Sequence, residues 1–261
     1  MLEPGLGDKP GILFFSGYEA KPWTSAWGML WGPSPSVNGS LVPAPDAFYP
    51  HQGNALQVQY HQGIMGPPGG FEYLTDLNQL GIAPRESLYL RYYVRFEPGF
   101  YFMRGGKLPG LCGGNANTGG HKPNGTDGWS ARIMWRPNGR IVQYVYYPDQ
   151  ADKYGDDFNW DMDGKTRAFI PGKWQCVETY VQMNDPGKSN GIIRSWLDGE
   201  PALEVENIRF RTTPNLKIDK MYFDTFFGGN DPSWAPIQDE KAWFDDFVIS
   251  DKYIGPFDEV P

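Results

Sequence analysis

The chain has little of what marks several other protein classes. It contains two cysteines and three histidines in 261 residues, and no Cys/His cluster or CxxC motif suggests zinc. No run approaches the roughly 18 apolar residues that a membrane helix requires, and the first ten residues lack the apolar core of a signal peptide. Long apolar patterns with the 3.6-residue period of a helix are almost absent. We therefore expect neither a membrane partner nor a mainly helical fold.

Positive charge is also scarce. The chain has 23 Lys and Arg residues against 31 Asp and Glu residues, a formal net charge of -8. Such a balance argues against nucleic acid or anionic membranes as partners unless basic residues are concentrated locally. If the ligand is anionic, its site must be a local basic pocket.

The residues that are abundant favour strands joined by tight turns. The chain has 33 Gly, 24 Pro and 16% aromatic residues, a composition typical of all-β proteins. No linker-like break divides it, so we predict a single domain over residues 1–261. The strand spacing and the lack of βαβ alternation predict a two-sheet antiparallel β-sandwich of the jelly-roll kind, with the functional cleft on its concave sheet.

Alternating apolar residues predict a strand at 54–63 and the clearest strand at 86–100, and the stretch 105–147 predicts consecutive extended segments. The thirty residues after a first strand at 11–20 predict a long loop whose Trp23, Trp27 and Trp31 cover a sheet edge or line a cleft. Residues 71–82 predict a short helical turn, and the acidic, turn-rich stretch 148–165 predicts a solvated loop.

The strand predicted at 86–100 carries Arg91 and Arg95 on the same face as two tyrosines. Such a face predicts a substrate-binding surface for anionic sugars. An ordinary solvated strand face explains the same pattern, and the sequence leaves both readings open.

The cysteines and the N-glycosylation sequons indicate whether the protein is secreted. Cys112 and Cys176 are compatible with one disulfide or with two free thiols, and the sequence does not decide between them. The sequons at Asn38 and Asn124 predict surface loops of a secreted protein. We expect it to act as a monomer.

Two carboxylates lie inside apolar runs, where an ionised group is costly unless it is paired or metal-bound. These are Asp224 and Asp245. A structural calcium ion near Glu19 and Asp245 is one explanation, and pairing with arginine or backbone N–H groups is the favoured one. We expect that no cofactor is required.

The stretch from 105 to 147 holds the candidate active site. Residues two apart on a strand share a face, so Ser130 and Arg132 point the same way, as do Tyr144 and Tyr146. Together with Lys107 they form a group without paired carboxylates, which is poorly suited to glycoside hydrolysis.

This group suits β-elimination on a uronic acid polymer. Arg132 can neutralise the sugar carboxylate, with Lys107 as an added charge, and so stabilise the anion formed when the α-proton leaves. A tyrosine beside cations becomes a usable base and can return the proton to the leaving oxygen. We assign that role to Tyr146, with Tyr144 and Ser130 orienting the sugar.

Five segments together resemble polysaccharide lyase family fourteen: GGKLPGL, WSARIMWR, YVYYP, YFDTFFGG and WFDDFVIS. The similarity runs from about residue 11 to residue 249. It implies a β-jelly roll that cleaves alginate or β-1,4-glucuronan, and the residues that match the family's active-site positions are Lys107, Ser130, Arg132, Tyr144 and Tyr146. His121, in the loop before Ser130, is expected to bind substrate or shuttle a proton.

The resulting hypothesis is a secreted polyuronate lyase, with β-1,4-glucuronan placed slightly ahead of mannuronate-rich alginate. The alternative from another class is a non-catalytic carbohydrate-binding jelly roll for anionic glycans. A hydrolase is the third and weakest interpretation, because the acidic residues at 156–161 lack fixed strand spacing.

Overall fold

The computed structural model describes residues 6–46 and 53–257. In this part of the chain, fifteen strands and eight short 3-10 helices are present. The strands are β1 Ile12–Ser16, β2 Met29–Ser34, β3 Gly39–Pro43, β4 Asn54–Tyr60, β5 Phe71–Asp76, β6 Ser87–Phe96, β7 Gly106–Gly114, β8 Gly128–Trp135, β9 Ile141–Tyr146, β10 Asp156–Asn159, β11 Trp174–Gln182, β12 Gly191–Leu197, β13 Glu200–Ile208, β14 Lys220–Thr225 and β15 Glu240–Ser250. The 3-10 helices are Leu6–Asp8, Trp23–Ala26, Ser36–Asn38, Pro67–Gly69, Leu77–Leu80, Pro137–Gly139, Met162–Gly164 and Pro232–Trp234.

The strands form two antiparallel sheets. The seven-stranded sheet has the order β10-β9-β8-β7-β14-β5-β2, and the eight-stranded sheet has the order β13-β12-β11-β6-β15-β4-β3, with β1 paired to β15. Strands far apart in sequence are neighbours, as where β14 lies between β5 and β7. The predicted two-sheet antiparallel sandwich of the jelly-roll class is confirmed.

Aromatic side chains fill the space between the sheets. The ring of Tyr73 stacks on that of Phe223 at 4.7 Å, and the ring of Tyr92 stacks on that of Phe247 at 4.8 Å. All four are buried. Each such side chain removed from water stabilises the fold by about 1.5–3 kcal/mol, so the aromatic-rich composition becomes the core.

Three segments differ from the sequence-based predictions. The predicted long loop after β1 contains β2 and β3, and the predicted helical turn at 71–82 begins as β5. The predicted loop at 148–165 contains β10, which pairs with β9. These strands are short or lie at or next to a sheet edge. Their local apolar alternation is weak. They are stabilised instead by pairing with a neighbour far along the chain.

The two cysteines are free and buried. Cys112 lies on β7 in the seven-stranded sheet, and Cys176 lies on β11 in the other sheet. Burial raises the pKa of both thiols above its ordinary value. Of the two alternatives open from the sequence, the structure has two free thiols.

The sequons differ in exposure. Asn124 is exposed and its side-chain oxygen accepts hydrogen bonds from Thr126. Asn38 is only 4% exposed, and its amide nitrogen donates to the carbonyl oxygens of Pro68 and Gly70. The prediction of a surface loop is therefore wrong for Asn38. No helix within the described ranges has the length and apolar character needed to cross a membrane.

Candidate active site

A cavity of about 390 Å³ lies on the outer face of the seven-stranded sheet. Its floor comes from β5, β7, β8, β9 and β14, and the loops at 118–119 and 228–234 form part of its walls. The polar and aromatic side chains that line it include Glu72, Lys107, Arg132, Arg136, Tyr144, Tyr146, Tyr222, Asp224 and Trp234. Four of the five residues predicted at 105–147 line this cavity.

Strand alternation explains why these side chains face outward. Ala131 and Ile133 on β8 belong to the core, so Arg132 between them points to the opposite face. The cross-strand partner of Arg132 is Tyr144 on β9. Two antiparallel neighbours therefore place the guanidinium and the phenol side by side.

A β-bulge brings Lys107 to the same face. Leu108 and Leu111 on β7 both belong to the core although they are three residues apart, because the register shifts between Leu108 and Gly110. Pro109 lies at that irregularity, a position where proline is tolerated in a strand. The bulge leaves Lys107 on the outer face, opposite Met134 of β8.

Arg132 forms a buried ion pair with Asp224 of β14. The side chains are 2% and 1% exposed. Burial opposes the charge of Arg132, but Asp224 together with Tyr222 and Tyr144 raises the pKa of the guanidinium above its ordinary value. Burial raises the pKa of Asp224, and the cations of Arg132 and Lys107 oppose that rise. The pair fixes the position of the Arg132 guanidinium on the cavity floor.

Lys107 is a buried amine among cations and aromatic rings. Its Nζ donates to the sulfur of Met134 at 3.0 Å and lies 4.3 Å from the ring centroid of Tyr144. Burial, followed by the positive charges of Arg132 and Arg136, lowers the pKa of Lys107 well below its ordinary value. A larger fraction of this amine is therefore neutral, and able to accept a proton, than for an exposed lysine.

The two predicted tyrosines lie together above Arg132. Their rings meet edge to face with centroids 5.6 Å apart, and the guanidinium carbon of Arg132 is 5.7 Å from the Tyr144 centroid and 5.8 Å from that of Tyr146. Burial, and then the neighbouring Tyr146, raises the pKa of Tyr144. The Tyr144 phenol therefore keeps its proton and can donate it.

Ser130 and Tyr146 hold the loop 115–127 against the cavity. The hydroxyl of Ser130 is buried and donates to the carbonyl oxygen of Asn117 at 2.7 Å. The hydroxyl oxygen of Tyr146 accepts the N–H of Gly120 at 3.0 Å. Ser130 does not line the cavity, so its contact with the loop is structural. His121, from this loop, is exposed and is not among the lining residues.

The structure does not bring Arg91 and Arg95 to this site. Both lie on β6 in the other sheet and are buried. Arg91 donates to the carbonyl oxygen of Gly255, and Arg95 pairs with Asp46 beneath the ring of Trp243. The prediction of an exposed substrate-binding face on this strand is wrong, because these segments cover it.

Sequence analysis missed Glu72 and Tyr222 as members of the site. The hydroxyl of Tyr222 donates to Glu72 at 3.0 Å, and both side chains line the cavity. Burial, and then the charge of Asp224 on the adjacent strand, raises the pKa of Glu72 to about 7. The alternation in the sequence FEYLTD is the signal for this strand, and the predicted helical turn at 71–82 is wrong there.

The described residues contain no group of three or more His, Cys, Asp or Glu side chains that could hold a metal ion. Near the calcium site considered from the sequence, Glu19 accepts hydrogen bonds from the backbone and side chain of Asn54. Asp245 accepts the N–H of Asp246. Asp224 is paired with an arginine, as the favoured explanation of its burial predicted.

Comparison with known protein families decides the classification. The model of the family described as Polysaccharide lyase 14 matches residues 49–247. The chain belongs to polysaccharide lyase family 14. The sequence motifs indicated this membership, and it supports the interpretation of the protein as a polysaccharide lyase. A search of curated proteins finds no match.

Solved structures with the same fold include members of family 14. The marine PL-14 alginate lyase from Aplysia kurodai is 24% identical, with a TM-score of 0.77 over 94% of this chain and 99% of that chain. Alginate lyase Aly36B is also 24% identical, with a TM-score of 0.74 over 93% and 95%. An endo-β-1,4-glucuronan lyase from the fungus Trichoderma reesei is 14% identical, with a TM-score of 0.55 over 92% and 96%. A variant of Aly36B has been solved in complex with an alginate tetrasaccharide.

Proposed function

We propose that this polysaccharide lyase cleaves a β-1,4-linked polyuronate, either glucuronan or mannuronate-rich alginate, by β-elimination. The observation that carries the proposal is the buried amine of Lys107, whose pKa is lowered, beside a fixed guanidinium and two phenols in one cavity. The solved relatives named above act on alginate and on glucuronan. Elimination from either polymer requires the same groups.

The first step removes the proton from the carbon next to the sugar carboxylate. That carbon becomes acidic only when the carboxylate charge is neutralised. Arg132 holds a positive charge on the cavity floor, and we assign it this role. The protonated form of Glu72, favoured by its pKa of about 7, adds no negative charge and can donate a hydrogen bond to the sugar carboxylate.

The base is the neutral amine of Lys107. Burial and the neighbouring cations lower its pKa, which suits proton acceptance better than the charge-neutralising role expected from the sequence. Tyr146, predicted there as base and acid, remains the alternative base. It lines the same cavity.

The second step expels the glycosidic oxygen. The electron pair of the broken C–H bond forms the 4,5 double bond, and the bond from C4 to the glycosidic oxygen breaks. Tyr144, which keeps its proton, donates it to that oxygen. The products are a new reducing end and a 4,5-unsaturated uronate, with the C5 proton on Lys107 and Tyr144 left as the phenolate.

Incubation with glucuronan and with polymannuronate tests the proposal. We expect absorbance from the unsaturated product in the near ultraviolet to rise together with new reducing ends. Reducing ends without absorbance would identify a hydrolase. Binding without either signal would identify the non-catalytic carbohydrate-binding module.

A further inference from the structure

Trp31 exposes a large aromatic ring on the sheet face that holds the cavity. It lies on β2, at the edge of the seven-stranded sheet, and is 40% exposed. Its ring meets that of Tyr222 edge to face at 5.5 Å. Because Tyr222 lines the cavity, Trp31 is on the same outer face, next to one end of the active site.

The other two tryptophans between β1 and the end of β2 are more buried than Trp31. Trp27 is fully buried in the core, and Trp23 is partly buried against the rings of Tyr18 and Tyr73. Core packing therefore accounts for Trp23 and Trp27 but not for the exposed ring of Trp31. A half-exposed ring beside a polar cavity presents a flat apolar surface, which is the kind of surface that stacks on the C–H face of a pyranose.

Strand register connects Trp31 to the reacting centre. Paired residues form one row across five strands: Arg132, Gly110, Tyr222, Leu74 and Trp31. Four strand spacings separate the ends of this row, about 19 Å along the sheet. The repeat of an extended 1,4-linked pyranose chain is close to one strand spacing. A polymer that crosses the strands from the cavity toward β2 therefore reaches Trp31 after about four sugar units.

The face between the cavity and Trp31 also carries a cation. Lys220 lies two residues before Tyr222 on β14 and shares its face. Its ammonium group is 3.0 Å from a carboxylate oxygen of Asp219, and the side chain is 17% exposed. Because Asp219 compensates this charge, this part of the sheet offers a sugar chiefly an aromatic surface.

We propose that Trp31, supported by Tyr222, forms a distal subsite that stacks on a uronosyl unit about four units from the reacting one. The inference rests on the proposed function and deepens it. Trp31 is a positioning residue, because it touches the polymer away from the bond that breaks. It increases affinity for long chains and contributes nothing to short chains that end before β2.

Kinetics on substrates of two lengths test the subsite. We expect Trp31→Ala to raise KM for the polymer about tenfold, the effect of losing one stacking contact, with kcat unchanged. For the shortest oligosaccharide that wild type cleaves, kcat/KM should stay the same. Trp31→Phe, which keeps a flat ring, should retain most of the polymer affinity. An equal loss on both substrates, or no loss on either, would overturn the subsite.

A matched control and a binding measurement separate this inference from the proposed function. Tyr253 is 46% exposed and contacts Trp196 of the other sheet, so Tyr253→Ala should leave both substrates unaffected. Calorimetric titration with polyuronate gives a second readout. If the polymer binds without being cleaved, the proposed chemistry fails, while weaker binding by Trp31→Ala alone still supports the subsite. If wild type neither binds nor cleaves polyuronate, both proposals fail.

Discussion

The guanidinium of Arg132 donates a hydrogen bond to the carboxylate of Asp224 across the intervening strand β7. Both side chains are almost fully buried on the cavity floor. Removing one partner of such a pair leaves an uncompensated buried charge, whereas replacing both with apolar groups of similar size is often neutral. The loss of one partner should therefore destabilise the fold, whereas the loss of both should cost much less.

The first prediction concerns the stability of this ion pair. Asp224→Leu should lower the free energy of unfolding by about 3–5 kcal/mol, because Arg132 loses its counterion. The double variant Arg132→Met, Asp224→Leu should be clearly more stable than Asp224→Leu, yet without lyase activity. Urea unfolding measures both. If the double variant is the less stable of the two, the ion pair is not the source of the loss.

The second prediction separates two roles for Lys107. Lys107→Arg keeps the positive charge but cannot deprotonate, so loss of the base should lower kcat about 10²–10⁴-fold. In wild type, activity should rise with pH through the lowered pKa of Lys107, because only the neutral amine accepts the proton. Initial rates of unsaturated product formation from pH 5 to 10 provide the measurement. Near-normal activity of Lys107→Arg would show that Lys107 neutralises the sugar carboxylate and is not the base.

The third prediction compares the two phenols. Tyr144→Phe should lower kcat strongly, because the phenol assigned to protonate the leaving oxygen is removed, while the fold stays intact. Tyr146→Phe loses the acceptor for the N–H of Gly120 and should disturb the loop 115–127 as well. Product absorbance and thermal unfolding, measured on both variants, distinguish the roles. A variant with normal activity excludes its tyrosine as base or acid.

A fourth prediction concerns Ser130 as a support for the loop. Ser130→Ala removes its hydrogen bond to the carbonyl oxygen of Asn117, at a cost of about 1 kcal/mol. We expect faster amide hydrogen exchange at 115–127 and a higher KM, with a smaller change in kcat. A loss confined to kcat would show instead that the hydroxyl acts on the reacting sugar.

The fifth prediction follows from the raised pKa of Glu72. In the folded protein it is about 7, against an ordinary value of 4.5. The folded state therefore binds the extra proton between these values. The stabilisation is complete below about pH 4.5 and is lost as the pH rises through 7. Glu72→Gln, which can still accept the hydrogen bond from Tyr222, should gain thermal stability relative to wild type between pH 5 and 8. Parallel curves for the two proteins would contradict the shift.

The sequence predicted those parts of the site that depend on strand period alone. Tyr144 and Tyr146 are two residues apart on β9, so their common face follows from the strand period, whereas the pairing of Arg132 with Tyr144 depends on the register between β8 and β9. The outward direction of Lys107 depends on the bulge at Pro109, which spacing does not reveal. The predicted convergence of Lys107, Arg132, Tyr144 and Tyr146 on one cavity agrees with the structure, while their catalytic roles stay predictions.

The parts that could not be predicted depend on contacts between distant segments. Arg91 has the same alternating pattern as Arg132, but residues 254–257 fold over its face. Glu72 reaches the cavity only because β14 lies beside β5. A local pattern states which residues share a face, and it does not state what later covers that face.

The buried amide of Asn38 has a practical consequence for production of the protein. Its nitrogen donates to two carbonyl oxygens of the segment 68–70, and an oligosaccharide attached there replaces one of its hydrogens and has no room in the fold. Modification precedes folding in a eukaryotic secretory pathway, so molecules modified at this asparagine cannot close the contact between 38 and 68–70. Expression in a host without N-glycosylation, or as Ser40→Ala, which removes the sequon at an exposed residue and keeps the amide of Asn38, avoids a mixture of correctly folded and misfolded product.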